Sequence, residues 1–346
     1  MSSNSLPTSP PAWFTFQDAA LIYQAGERKV WKIRDEFILK RTRATGINSE
    51  AATHRFVADN TSIPVPFVYG EWQSEDRRWH YLLEGRIHGQ TLADCWARLT
   101  VDDKLDLAEQ VLAYMLQLRR FTAGSLRSLS GKPLPNNLFV PAPFPEGARG
   151  YLRGTWRTDD DIFAREFQPA LERARVAPDL VRLLRRTMPP CAGQLQLTHC
   201  DLYVGNVMVD LSGGRAVVSA IIDWESAGYW PAWFQHARIT HGCSKHDGEW
   251  KYILSRLQQS SIPHADHGRV WWDTVQTLLY RPSSLQARAW LRLLVGYVRG
   301  ERSVSELEKY QEIDGEEAAV LNTVPRGGGR GADGYYSTAI GAFRRR

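Results

Sequence analysis

Residues 195–210 read LQLTHCDLYVGNVMVD, and residues 217–225 read VVSAIIDWE. The short apolar runs on either side of the polar centre have strand character, and Leu211-Ser212-Gly213-Gly214 between the second and third runs is turn chemistry. The last two runs therefore form a hairpin that brings Asn206 and Asp223 to neighbouring strand ends. Between the first run and that hairpin lies His199-Cys200-Asp201-Leu202-Tyr203-Val204-Gly205-Asn206, which fits H-x-D-L-x-x-x-N. Four fixed residue types at fixed spacing arise by chance in roughly one chain in a thousand of this length at average usage.

That spacing is the catalytic-loop pattern of kinase-fold enzymes. Phosphoryl transfer explains the residue types, because an acceptor hydroxyl must be oriented and deprotonated while magnesium screens the phosphate charge. Asp201 supplies a carboxylate and Asn206 an amide oxygen. Magnesium takes oxygen ligands and retains several waters, so one carboxylate and one amide are adequate protein ligands. Asp223 is the natural carboxylate: it ends an apolar strand, where the bland alternative is a solvated strand end.

Upstream, VWKIR and FILKR flank Asp35-Glu36 as a hairpin, with Lys40 on its second strand. A helix is expected over 49–59, with Asn48 or Ser49 as N-cap and Glu50 in the first turn. Further strands fall near 67–72 and 79–84, giving a plausible five-stranded sheet with one helix. From Thr91 the pattern turns helical, over 91–99 and 102–120, with an apolar face of Leu105, Ala108, Val111, Leu112, Met115 and Leu118. Gly and Pro are frequent over 121–160, where loops are expected. Helices are expected near 161–175, 178–187, 247–259, 268–280 and 284–300. The fold class is thus α+β with two lobes: a small N-lobe of antiparallel sheet plus one helix, and a larger, mainly helical C-lobe. The expected boundaries are 1–12 as a disordered N-terminus, 13–88 as a nucleotide-binding N-lobe, 89–321 as a catalytic and acceptor-binding C-lobe, and 322–346 as a disordered, basic, Gly-rich tail.

LTHCDLYVGNVMVD followed by AIIDWE resembles the aminoglycoside phosphotransferase and choline kinase-like family of small-molecule kinases. Its fungal-type branch is similar also in SEAATHRFVADNTSIPVPFVYGEW. The resemblance implies a protein-kinase-like fold and an ATP- and Mg2+-dependent transfer to a small-molecule hydroxyl. It also implies that Lys40 holds the α- and β-phosphates and pairs with Glu50, that Asp201 is the catalytic base, and that Asn206 and Asp223 hold magnesium. His199 is then a structural brace, and Lys32 is a weaker rival to Lys40. Several positions depart from the family pattern. No GxGxxG stands ahead of the first hairpin, where only Gly26 is found, so a loop of other composition must cover the phosphates. Gly85 and His88 stand in the hinge segment Tyr81–Gly89 where an acidic residue and a proline are expected. Cys200 replaces the usual glycine, and Tyr203-Val204 replaces a His-Pro pair.

The chain has 346 residues, enough for a sizeable core without staples. Its four cysteines, Cys95, Cys191, Cys200 and Cys243, are spread without a CxxC pair, which suits reduced thiols. No apolar run is long enough to cross a bilayer, and the N-terminus lacks a secretory signal, so the expected location is the cytoplasm. The net charge of +5 owes much to Arg326, Arg330 and Arg344–Arg346, which makes nucleic acid an unsupported partner. His236, His241, Cys243 and His246 match no compact zinc spacing. P-loop, nucleophile-elbow and HExxH signatures are lacking. Two other readings compete: a non-catalytic kinase-like nucleotide-binding or adapter protein, and a protein kinase, against which DWE in place of DFG and the lack of A-P-E argue. For the acceptor, Glu225, Tyr229, Trp230 and Trp233 follow Asp223 and combine one carboxylate with three aromatic faces, with core packing as their bland alternative.

Overall fold

The structure, a computed structural model, describes residues 6–135, 139–140, 151–191, 193, 195–239, 245–258, 262–281 and 283–301. The segment 322–346, read as a tail, lies outside the described residues, as do His241 and Cys243.

The N-terminal lobe carries β1 (Ala19–Ala25), β2 (Arg28–Ile33), β3 (Phe37–Arg43), α1 (Glu50–Asn60), β4 (Val68–Gln73) and β5 (Trp79–Gly85). Its strands form one antiparallel sheet in the order β1-β2-β3-β5-β4. Phe14, Ile33, Leu39, Trp72 and Leu83 form its core, and Trp72 stacks on Tyr81 at 5.2 Å between ring centroids. Strand β1 has no counterpart among the sequence expectations. Every residue of AALIYQA is exposed, so no buried face imposes the two-residue alternation that marks a strand. Ser49 is the N-cap of α1 but makes no side-chain cap bond; Asn48 instead accepts from the Thr45 amide. Glu50 in the first turn complements the positive end of the helix.

The second lobe runs through β6 (Gln90–Thr91), α2 (Leu92–Cys95), α3 (Val101–Leu118), β7 (Thr122–Ala123), α4 (Asp159–Ile162), α5 (Gln168–Arg173), α6 (Pro178–Thr187), β8 (Leu195–Thr198), β9 (Val207–Asp210), β10 (Val217–Ile221), β11 (Gly228–Pro231), α7 (Ala232–Ile239), α8 (Lys245–Gln258), α9 (Ala265–Tyr280) and α10 (Leu285–Val298). Helix α3 starts at a capping box, with Thr100 and Asp103 each satisfying the other's backbone N–H. It buries Leu107, Ala108, Val111, Met115 and Leu118, whereas Leu105, expected on that face, is exposed. The 91–99 helix is broken into α2 and a 3-10 turn over Trp96–Arg98.

Two small sheets position the motif. One has the order β10-β9-β6 and contains the expected hairpin; the other, β11-β8-β7, pairs the strand leading into the motif with a strand not anticipated from sequence. The crossing between lobes is tight. At Gly89, φ is +120° and an added Cβ would lie 2.7 Å from the Val209 carbonyl oxygen, so only glycine lets the chain pass and pair β6 with β9. Large aromatics fill the C-lobe core, among them Trp96, Trp224, Trp230, Trp233, Trp250, Trp271 and Trp272.

Candidate active site in the interlobe cleft

The motif loop is held by its own hydrogen bonds and by side chains from later helices. Buried His199 donates from Nε2 to the Ile222 carbonyl at 3.0 Å and accepts at Nδ1 from the Asp201 N–H at 3.2 Å, which describes a neutral imidazole. Burial pulls its pKa below the ordinary value, in keeping with that state. Asn206 donates to the Asp201 carbonyl at 2.9 Å, leaving its amide oxygen on the opposite side. The Ile222 N–H donates to the Asn206 carbonyl at 3.0 Å, so the hairpin does bring Asn206 beside Asp223. From α7, Gln235 accepts from the Cys200 N–H at 3.3 Å; from α8, Asp247 accepts from the Val204 N–H at 3.2 Å and Trp250 donates to the Leu202 carbonyl at 3.2 Å.

Cys200 and Asp223 both adopt left-handed backbone, with φ of 70° and 66°. That conformation costs a non-glycine residue about 1–2 kcal/mol. At Cys200 it gives a physical reason for glycine in the family pattern. Burial pushes the Cys200 thiol well above its ordinary pKa, so it stays protonated.

Opposite the loop, the Lys40 ammonium lies 2.7 Å from Glu50 and 3.0 Å from Glu84, all three nearly inaccessible. Register explains the convergence: Lys40 is at the centre of β3 opposite Leu82, and Glu84, two residues on along the neighbouring β5, projects from the same face. Burial penalises the Lys40 charge, but Glu50 and Glu84 more than offset it and its pKa is raised. Burial is the largest influence on Glu50 and lifts it, yet Lys40, His54 and Arg28 together keep the carboxyl below the usual range. At Glu84 burial wins, with help from Glu50, and its pKa rises to about 7. His54, between Glu50 and Glu84, is drawn down to about 4 by burial.

Asp223 is held by Arg28, whose guanidinium lies 2.7 Å from Asp223 and 3.0 Å from Glu225. Burial raises the Asp223 pKa, but Arg28 and then Lys40 bring it below the ordinary value. Glu50, Asp223 and Glu225 each bring a carboxylate oxygen within 4.8 Å of the others. The carboxylates Glu50, Glu84, Asp223 and Glu225 face two cations, Lys40 and Arg28, leaving two negative charges when all are ionised. A divalent cation with oxygen preference matches both the donors and that excess. Asp201 faces the cleft, with its carboxylate 31 % exposed and the Arg238 guanidinium 3.6 Å away.

Lys40, Glu50, Asn206 and Asp223 thus lie around one cleft with Asp201. Of the four expected acceptor residues, the three aromatics do not. Trp230 and Trp233 are core: 0 % and 1 % exposed, packed on Phe139 and Phe234, with indole N–H groups satisfied by the Ser226 and Pro190 carbonyls. Tyr229 sits in β11, 8 % exposed, beneath the Arg127 guanidinium. Strand pairing of Gly228–Pro231 with β8 draws this stretch inward. Glu225 does face the cleft, but beside Asp223 and Arg28. The cleft also contains residues that sequence reasoning missed. Glu84 carried a usable signal, an acid ending the apolar run YLLE, whereas Arg28 and Arg238 carried none. Of the four residues weighed for zinc, His236 is buried in α7 and the described residues gather no such cluster there.

The family model described as the phosphotransferase enzyme family matches residues 23–271. No curated protein is matched by the sequence. Among solved structures, the chain is similar to APH(2")-IIa in a ternary complex with streptomycin and ATP (12 % identity, 81 % of this chain and 91 % of that one, TM-score 0.48). It is also similar to APH(2")-IIia in a complex with GDP and kanamycin (13 %, 84 % and 94 %, TM-score 0.49). A third is a thermostable mutant of APH(4)-Ia with ADP and hygromycin B (17 %, 79 % and 90 %, TM-score 0.47).

Proposed function

The chain belongs to the phosphotransferase enzyme family, and from that premise we propose that it transfers the γ-phosphoryl group of ATP, with magnesium, to a hydroxyl of a small molecule. What carries the reading is the convergence of the Lys40–Glu50 pair with Asp223, across one cleft from Asp201. In this reading residues 13–88 serve the nucleotide and residues 89–321 serve catalysis and the acceptor.

Each role follows from the local chemistry. Lys40, fixed by two carboxylates, presents a pre-positioned charge to the α- and β-phosphates without reorganising on binding. Asn206, through its amide oxygen, and Asp223 would hold magnesium. When bound, the metal supplies charge screening for the phosphates. Asp201 orients the acceptor hydroxyl and takes its proton at the carboxylate, the only carboxylate of the motif loop. His199, neutral and bonded on both ring nitrogens, holds that loop and moves no proton. Among the described residues no helix is long and apolar enough to cross a membrane. The proposed setting is the cytoplasm, with Cys95, Cys191 and Cys200 as buried free thiols.

The experiment is calorimetric titration with ATP in the presence and absence of magnesium, followed by turnover measurements over amino sugars, amino alcohols and sugars. Magnesium-dependent binding with phosphorylation of a panel member is expected. Binding that ignores magnesium, or tight binding with no turnover on any hydroxyl compound, would instead favour an adapter.

A further inference from the structure

The turn between β1 and β2 lies where a glycine-rich phosphate loop would be needed, yet it offers a single glycine. Ala25 pairs with Arg28, so only Gly26 and Glu27 form the turn. Gly26 has φ of +54° and open space where a Cβ would be. Two residues cannot supply the run of backbone N–H groups that cradles a triphosphate in a glycine-rich loop. A side chain must then do so. Arg28, the first residue of β2, is the one placed for it. Val30 is the register partner of Lys40, and Arg28 is two residues before Val30, so Arg28 and Lys40 project from the same face of the sheet.

Arg28 crosses from the N-lobe to Asp223 and Glu225, and its side chain is only 15 % exposed. Asp223 is the carboxylate assigned above to the metal. The guanidinium takes one oxygen of Asp223 and one of Glu225, so a divalent cation at the same carboxylates would lie close to a like charge in a buried place, and the two repel one another. The planar fork of arginine fits phosphate oxygens bidentately as well as it fits a carboxylate.

We propose that Arg28 is a triphosphate-positioning residue. In the structure it holds Asp223 and Glu225, and with the metal–nucleotide complex bound it exchanges Asp223 for the phosphate oxygens, carried by the Gly26-Glu27 turn. The proposal rests on the phosphotransferase reading and deepens it. Metal then enters well only with nucleotide, because the phosphates provide the displaced guanidinium with a new partner. A merely structural bridge between lobes predicts the reverse for metal alone, since losing the bridge would loosen the cleft and weaken metal binding.

The test uses the full chain with Arg28→Met, which removes the charge at similar length, and Arg28→Lys, which keeps the charge without the fork; thermal unfolding checks both. Free manganese in solution, followed by paramagnetic resonance, measures metal binding without nucleotide. Calorimetry measures binding of the non-hydrolysable analogue AMP-PNP with magnesium. Arg28→Met is expected to bind manganese alone roughly tenfold more tightly than the wild type and the magnesium analogue complex roughly tenfold more weakly. Arg28→Lys, the variant to rely on should Arg28→Met fail to fold, is expected to keep manganese affinity within about twofold and still to weaken the analogue roughly tenfold. Manganese affinity unchanged or reduced in Arg28→Met, or analogue affinity unchanged in either variant, overturns the proposal. Failure of Arg28 alone leaves nucleotide binding by the wild type intact, whereas a wild type that binds no magnesium–AMP-PNP overturns the phosphotransferase reading itself.

Discussion

Lys40→Met isolates the electrostatics of the cleft from its chemistry. The ammonium it removes is 2.7 Å from Glu50 and 3.0 Å from Glu84, in a place where all three residues are less than 10 % exposed. Arg28 remains, but its contacts are Asp223 and Glu225. Removing one side of a buried ion pair costs about 3–5 kcal/mol because the remaining charge is stranded. The carboxylates can escape by protonating, which sets the pH dependence. In the variant both acids have folded pKa values above the roughly 4.3 of an unfolded glutamate. An acid raised in the folded state contributes stability that is present below its unfolded pKa and lost as pH rises through its folded pKa. Glu84 already titrates at about 7 with Lys40 present, and losing Lys40 raises it further, so the variant's loss should grow as pH rises and be larger at pH 8 than at pH 5.5, where the carboxyl is protonated. The expected outcome is a loss of about 3–5 kcal/mol at pH 8 and about 1–2 kcal/mol less at pH 5.5. Urea unfolding followed by tryptophan fluorescence at the two pH values measures it. An equal loss at both, or less than about 1 kcal/mol at pH 8, would mean that Glu50 and Glu84 reach water and that the buried-cluster reasoning is wrong.

Three further outcomes can be checked. Asp201→Asn should lower kcat by roughly 10²–10⁴-fold while leaving magnesium–nucleotide affinity within about twofold, and comparable damage to both would remove Asp201 from the role of base. Trp233→Ala should destabilise the protein by about 3–5 kcal/mol in denaturant titration; a fully stable variant with only a raised KM would return Trp233 to the acceptor pocket. Gly268 lies in α9 against α7, and an alanine Cβ there would meet Trp233 at 2.6 Å. Overpacking of about 1–3 kcal/mol should outweigh the helix propensity gain of up to about 1 kcal/mol, so Gly268→Ala should melt lower than the wild type, and a higher Tm would show that the two helices can separate freely.

Legibility in the sequence followed the number of residues that had to agree locally. Lys40, Glu50 and Asp223 could be placed because each sits at the end or centre of a strand or in the first turn of a helix whose pattern is strong, and the hairpin brings Asn206 to Asp223 by register alone. The α+β class was readable for the same reason, from strand period before residue 88 and helical period after it. Strand β1 was not, since a strand exposed along its length has nothing to alternate. Trp230 and Trp233 were misread because an aromatic after a charged motif looks the same whether it faces ligand or core. The difference is made by β11, whose pairing with β8 sets Gly228 against Thr198, on the far side of the whole motif and hairpin. Arg28 and Arg238 depend on contacts across long separations, Arg28 with Asp223 and Arg238 with Asp201, and an isolated arginine in sequence carries no mark of them.

The eight-residue motif does not contain the instructions for its own shape. Its amide and carbonyl groups at Cys200, Leu202 and Val204 are met by Gln235, Trp250 and Asp247, side chains that lie 35, 48 and 43 positions further along the chain. Transplanting His199–Asn206 into another scaffold would therefore carry over the letters and lose the conformation. In a saturation screen of this chain, Gln235, Asp247 and Trp250 should score with Asp201 among activity-sensitive positions although none of them faces the cleft chemistry. A scan for signature residues would pass over all three.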